Sequence, residues 1–327
     1  MAEPLPVRVD VHLDPTDWSE HLAAETRRGL VADPPWIPPV WFYDEAGSKL
    51  FDEITRLPEY YPTDAEREIL RDHADELAEL TGAGTLIELG SGTSEKTMLL
   101  LEALHRRGCL WRVSPFDVSE EVLRSASGTI AATLPGVQVH AVVGDFHRHL
   151  HEVPTDGVAL LAFLGSTIGN LDPAQREVFL RQVRGALDTD DWFLVGTDLV
   201  KDTDRLLAAY DDAAGVTAAF NLNALSVMNR ELGADFDPTA YRHRAHWDEA
   251  GRRIEMHLVS GSDQEVGIAG LGGLRLALPA GSHLRTEIST KFTPEGVVAE
   301  LAAAGLEVVR SWTDSSGDFL LSLARPV

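Results

Sequence analysis

Between residues 85 and 199, short β-rich runs alternate with helical stretches, and this alternation narrows the folds open to the chain more than any other feature. The runs are TLIEL, RVSPFD, VQVHAVVGD, ALLAFLGS and DWFLVGTDL. Parallel strands need long crossover connections, and SEKTMLLLEALHRRG, SEEVLRSASGTIAATL and DPAQREVFLRQVRGAL carry apolar residues at helical spacing that can supply them. Ser119 and Asp172 are cap candidates for the last two, and Gly108 ends the first. The pattern predicts an α/β protein with a doubly wound sheet.

The C-terminal stretch TPEGVVAELAAAGLEVVRSWTDSSGDFLLSLARPV predicts a helix with a Thr cap, Pro in its first position and Gly at its end, followed by two strands joined at a Ser-Ser-Gly turn. A hairpin-like end to a parallel sheet is characteristic of class I methyltransferases, with their Rossmann-like fold. Two segments break the alternation: residues 1–63, rich in Pro and aromatics, and residues 201–290, with two helical stretches and then strand-like RRIEMHLVSG and LRLALPAG. Each is short for a domain alone. The expected organisation is therefore a methyltransferase domain of residues 64–200 and 291–327, with residues 1–63 and 201–290 forming a substrate-binding domain. That second domain is expected to lie over the carboxyl edge of the sheet, where such folds bind ligands.

Bulk properties remove several function classes. A 327-residue chain with 44% hydrophobic content can bury a full core. Apolar runs such as VALLAFLG fall far short of the ~20 residues a membrane-spanning helix needs, and the N-terminus lacks the basic and apolar regions of a secretory signal. A single cysteine, Cys109, cannot form an internal disulfide, which fits a reducing cytoplasm. The net charge of -24, from 52 acidic against 28 basic residues, argues against nucleic acid as a partner and is compatible with a cationic or zwitterionic small molecule. The HRHLH cluster at 147–151 lacks a convergent ligand set, so no metal is expected.

The chemistry begins at IELGSGTSEKT, residues 87–97. A phosphate-cradling P-loop needs Gly directly before its Lys, whereas Glu95 stands there, and Glu88 adds a second acid. Gly90 and Gly92 let backbone approach a nucleoside, a helix beginning near Ser94 would offer N–H groups, and Lys96 adds a positive charge. A single carboxylate, such as that of the methionine part of S-adenosylmethionine, suits this loop. The third Gly of a dinucleotide fingerprint is also replaced by Glu95, which would repel a pyrophosphate. Asp117 and Asp145 fall at the carboxyl ends of the next two strands. There Asp117 can accept from ribose hydroxyls, while Asp145 and Phe146 can meet the adenine amino edge and ring face.

Long strings then point to one family. WFYDEAGSKLFDEITRLPEYYPT (41–63), ELGSGTSEKT (88–97), FLGSTIGNL (163–171), GTDLVKD (196–202), AYDDAAGVTAAFN (209–221), RIEMHL (253–258) and TEISTKF (286–292) resemble the histidine-specific Nα-methyltransferases that make hercynine, the trimethylated precursor of ergothioneine. The resemblance covers nearly the whole chain. It implies that Gly90, Lys96, Asp117, Asp145 and Phe146 bind S-adenosylmethionine. It further implies that Tyr60, Gly165, Asn170, Tyr210, Met256, Glu287 and Ser289 line a histidine pocket with Tyr43 near the amine. The implied enzyme is cytoplasmic and monomeric.

Residue chemistry agrees with these roles. Methyl transfer from a sulfonium is an in-line displacement, so the protein must mainly align a neutral amine and exclude water. Asn170 can accept from the α-amine through its amide oxygen, and Tyr43 and Tyr60 offer electron-rich faces to a growing quaternary ammonium. Glu287 and Ser289 alternate with Ile288, placing both on one strand face where they can meet the imidazole nitrogens, with Met256 packed against the ring. The alternatives are an N-methyltransferase acting on another amino acid or small amine, or a catalytically silent nucleoside-binding module.

Overall fold

The computed structural model describes residues 5–92, 94, 96–153 and 156–327, with only the backbone of residue 147. The expectation for Glu95 lies outside the described residues. The chain divides into two compact units, one of residues 1–14, 62–200 and 292–327, the other of residues 15–61 and 201–291.

The first unit is built on a sheet. In chain order its strands are β1 (Arg8–Val11), β2 (Thr85–Leu89), β3 (Arg112–Asp117), β4 (Gln138–Val143), β5 (Ala159–Phe163) and β6 (Trp192–Asp198). Strands β7 to β11 belong to the second unit: Tyr241–Asp248, Arg253–Ser260, Gln264–Ile268, Leu274–Leu278 and His283–Thr290. The closing pair, β12 (Leu306–Thr313) and β13 (Phe319–Pro326), returns to the first unit. Among the described residues the large sheet runs β1-β4-β3-β2-β5-β6-β13-β12, with β13 antiparallel to both neighbours. The order reverses at β2, whose neighbours are β3 and β5, so its carboxyl end stands at the switch point where ligands of open α/β sheets bind. Every residue of β2 and β5 is buried, as strands covered by helices on both faces must be.

Helices are numbered along the whole chain: α1 (Pro15–Leu30), α2 (Glu45–Ile54), α3 (Pro62–Thr81), α4 (Thr97–Arg107), α5 (Glu120–Thr133), α6 (Phe146–His149), α7 (Pro173–Ala186), α8 (Thr203–Tyr210), α9 (Val216–Leu232) and α10 (Pro294–Ala303). Of these α3 to α7 and α10 belong to the first unit. Helix α7 starts where the sequence requires: Asp172 and Gln175 form a reciprocal capping box before Pro173. Thr293 caps α10 through its hydroxyl, and Gly305 follows its end in the left-handed region. Ser119 differs from expectation. Its side chain makes no cap hydrogen bond, and its N–H donates to Asp117 Oδ1 at 3.0 Å. One core of this unit joins Leu70, Leu77, Leu100, Leu104 and Leu160, and another joins Ile87, Phe163, Phe179, Val195 and Leu301.

Residues 1–14 depart from the expected division. Arg8–Val11 pairs in parallel with β4, from Arg8 opposite His140 to Val11 opposite Val143, and so belongs to the large sheet. A four-residue edge strand with two charged members carries no apolar run to reveal it. His140 Nε2 and Asp10 Oδ2, 2.7 Å apart, tie it down.

The second unit contains the three-stranded sheet β11-β8-β7, the ladder β9-β10 and helices α1, α2, α8 and α9. Its core gathers Leu30, Trp41, Phe42, Tyr210, Phe220, Leu225, Met228, Met256 and Leu284.

Candidate functional site

The turn after β2 is held by a buried acid. Glu88, the next-to-last residue of β2, accepts from the Ser94 hydroxyl at 2.8 Å and from the Thr97 hydroxyl. Burial pushes the Glu88 carboxyl up to about 7, opposed by those hydroxyls and by the nearby Lys96 ammonium. Ser94 sits at φ +54°, outside right-handed helical geometry, and α4 begins at Thr97 rather than near Ser94. Gly90 and Gly92 have φ of +64° and +48°, a region that favours glycine, and a side chain added at either would meet nothing within 4 Å among the described residues. Among the described residues, the space beside these two glycines is open.

The next strand end is tied to the same turn. Asp117 accepts from the Gly92 N–H at 3.0 Å through one oxygen and from Ser119 through the other, while Gly90 and Ser91 donate to the Phe116 carbonyl. Burial raises the Asp117 carboxyl, and those amides pull it down. A carboxylate can accept about four hydrogen bonds, so room remains on it for an incoming hydroxyl. Asp145 follows β4 and is buried, with its N–H donated to His149 Nδ1 at 3.1 Å. Phe146 meets Phe163 and Phe179 edge-on, both at 5.5 Å, which sets its ring. Ser91 Oγ is buried with no hydrogen-bond partner among the described residues. Open glycines, a strand-end acid and an unspent hydroxyl fit a nucleoside with few phosphates.

Lys96 is where sequence reasoning was incomplete. Its ammonium is paired with Glu66 of α3, whose side chain is fully buried. Glu66 also accepts from the Gly165 N–H, at 2.9 and 3.0 Å to its two oxygens. Gly165, at φ +74°, opens the turn after β5, and Asn170 ends the short 3₁₀ segment Thr167–Asn170 in the same turn. Glu66 gave no sequence signal, since one acid in a helix rich in Asp and Glu looks like any other.

In the second unit the residues assigned to histidine fall into two groups. Tyr43, 47% exposed, packs edge-on against Phe51 and Phe220, and Tyr60 lies against Phe51 and Tyr210. The Tyr210 hydroxyl joins this aromatic group to β11, standing 2.8 Å from Ser289 Oγ. The Lys291 ammonium, 1% exposed, donates to both, at 2.9 Å to Tyr210 and 2.8 Å to Ser289. Lys291 was missed as a site residue because a strand Lys normally reads as solvated.

Cross-strand register gives the second group. Glu287 stands opposite Met256 and Ser289 opposite Ile254, so Glu287, Ser289 and Met256 share a face. A register shift between Arg285 and Glu287 sends Arg285 to the other face, opposite His257. Burial pushes the Glu287 carboxyl up to about 7 against the pull of Lys291. Among the described residues, no group of three or more His, Cys, Asp or Glu is placed to hold a metal ion. No helix there is long and apolar enough to cross a membrane.

The chain is similar over most of its length to proteins named for histidine methylation or ergothioneine biosynthesis. It is 55% identical over 306 residues to the Histidine N-alpha-methyltransferase of Mycolicibacterium smegmatis, covering 94% of this chain and 95% of that one. With the Histidine N-alpha-methyltransferase of Mycobacterium tuberculosis the identity is 54%, covering 93% and 95%. The Ergothioneine biosynthesis protein 1 of Neurospora crassa is 32% identical over 86% of this chain, a match that spans 32% of that longer protein. The profile described as "Histidine-specific methyltransferase, SAM-dependent" matches residues 22–326, and with the class I sheet found here the chain belongs to that family of S-adenosylmethionine-dependent enzymes.

Proposed function

We propose that this protein methylates the α-amino group of L-histidine three times to give hercynine, the first step of ergothioneine biosynthesis, acting in the cytoplasm. The observation that carries this reading is likeness across 94% of the chain to an enzyme named for methylation of the histidine α-nitrogen. S-adenosylmethionine supplies an electrophilic methyl group when bound. Gly90, Lys96, Asp117, Asp145 and Phe146 would hold it, through open backbone, an ammonium, strand-end carboxylates and a ring face.

The remaining residues orient the acceptor. Asn170 accepts from the α-amine and aims its lone pair, which supplies part of the advantage of a near-attack geometry. Gly165 leaves space at the mouth of the same turn. Tyr43 and Tyr60 offer aromatic faces to positive charge as methyl groups accumulate. Glu287 accepts from an imidazole N–H, the Ser289 hydroxyl meets the second ring nitrogen, Met256 packs on the ring, and Tyr210 is held in place by Lys291.

The test is incubation of the protein with S-adenosylmethionine and each of the twenty amino acids, read by mass spectrometry. Stepwise addition of three methyl groups to histidine alone is expected. Transfer to a different amino acid or small amine would replace this reading with another N-methyltransferase, and absence of transfer with cofactor still bound would indicate a silent binding module.

A further inference from the structure

Glu66 lies in α3, outside every motif that suggested a ligand, yet it has no exposed surface and holds two parts of the candidate site at once. One oxygen carries the Lys96 ammonium of the loop after β2, and both oxygens take the Gly165 N–H of the turn after β5. Strand β6 is shaped around it. A Cβ at Gly196 would stand 2.2 Å from Glu66 Oε1, so this strand position must lack a side chain for the carboxylate to sit there. Glu88, the second buried acid beside Lys96, already takes hydroxyls from Ser94 and Thr97.

Burying a charge is costly unless it is paired and hydrogen-bonded, and a buried pair broken on one side leaves its partner uncompensated. Here the pair is also bonded to the backbone of a turn. We propose that Glu66 is a positioning residue for methyl transfer, one carboxylate that sets the loop bearing Lys96 and the turn bearing Gly165 and Asn170 in a common register. The inference rests on the cofactor and amine roles given above to Lys96 and Asn170.

A double-mutant cycle with two readouts tests it. Cofactor affinity is measured by calorimetry, and turnover of histidine at saturating cofactor, for wild type, Glu66→Gln, Lys96→Met and the double variant. Glutamine keeps an acceptor for the Gly165 N–H but turns an amide nitrogen toward the ammonium, so Glu66→Gln alone should weaken cofactor binding about tenfold. In the Lys96→Met background the same change should cost nothing or strengthen binding, because it removes a stranded carboxylate. Glu66→Ala, which also strands the Gly165 amide, should lower turnover about tenfold below Glu66→Gln.

A purely structural Glu66 would give effects that multiply across the cycle, and Gln and Ala variants with equal turnover; either outcome overturns the proposal. If Glu66→Gln alone does not fold, the double variant lacks both charges, and weaker cofactor binding by it than by Lys96→Met would equally overturn it. A wild-type protein that does not methylate histidine would instead refute the underlying functional reading, and the cofactor-binding cycle would still decide the role of Glu66.

Discussion

At the scale of single residues, the specificity role proposed for Glu287 comes with an electrostatic cost. Losing a buried hydrogen-bonding partner typically costs ~1–3 kcal/mol, so Glu287→Ala is expected to raise KM for histidine by roughly one to two orders of magnitude while leaving cofactor affinity within about twofold. Steady-state kinetics with each substrate varied in turn checks this. An unchanged KM would mean that the imidazole is read elsewhere. Its titration offers a separate test. Burial lifts the carboxyl from 4.5 to about 7, so its stabilising share is whole below about 4.5 and is lost as pH rises through about 7. Against Glu287→Gln, the wild type should lose up to about 3 kcal/mol of relative stability between about pH 5 and pH 8. Glu88 is displaced in the same direction but is present in both proteins, so it cancels from the difference. Parallel denaturation midpoints across that range would show that Glu287 does not ionise with the proposed cost.

At the scale of elements, strands and turns matter here for what they leave room for. Strand β6 passes Glu66 at Gly196, where a Cβ would also lie 3.0 and 3.1 Å from the Phe319 ring of β13. Gly196→Ala must therefore displace a carboxylate, an aromatic ring or the strand itself. The expected loss is about 1–3 kcal/mol of stability, accompanied by weaker cofactor binding, since Glu66 cannot move without releasing Lys96 or Gly165. Chemical denaturation and calorimetry on the same preparation measure both. A variant with normal stability and cofactor affinity would show that the slot at β6 is looser than the distances indicate. Strand β11 makes a similar point by register, because its bulge is what places Glu287, and not Arg285, on the face of Met256.

At the scale of the whole chain, a net charge of -24 on 327 residues means that compact states carry substantial self-repulsion. Ion pairs such as Arg106 with Asp75 and Arg124 with Glu120 lie on exposed surface, where each contributes little. Salt should therefore stabilise the protein more by screening repulsion than it destabilises by weakening pairs. The melting temperature is expected to rise between about 10 mM and about 150 mM sodium chloride, as the Debye length shortens from roughly 30 Å to roughly 8 Å. A fall over that range would show that local pairs outweigh the net charge.

The alternation of apolar runs with amphipathic stretches was enough to place β2 to β6, the capped starts of α7 and α10 and the closing hairpin, because side-chain periodicity reports which face of an element is buried. It also located Asp117 and Asp145 at strand ends, since an acid that follows a buried run stands where the strand leaves the core. Pairing was a different matter. Lys96 and Glu66 are separated by 30 positions and Lys291 and Tyr210 by 81, and no local pattern says which buried charge will meet which partner. Edge strand β1 was hidden for the same reason, its hydrogen bonds being owed to β4, more than a hundred residues away. Local composition decides what a segment becomes. Only the folded topology decides which polar groups, once removed from water, must satisfy one another.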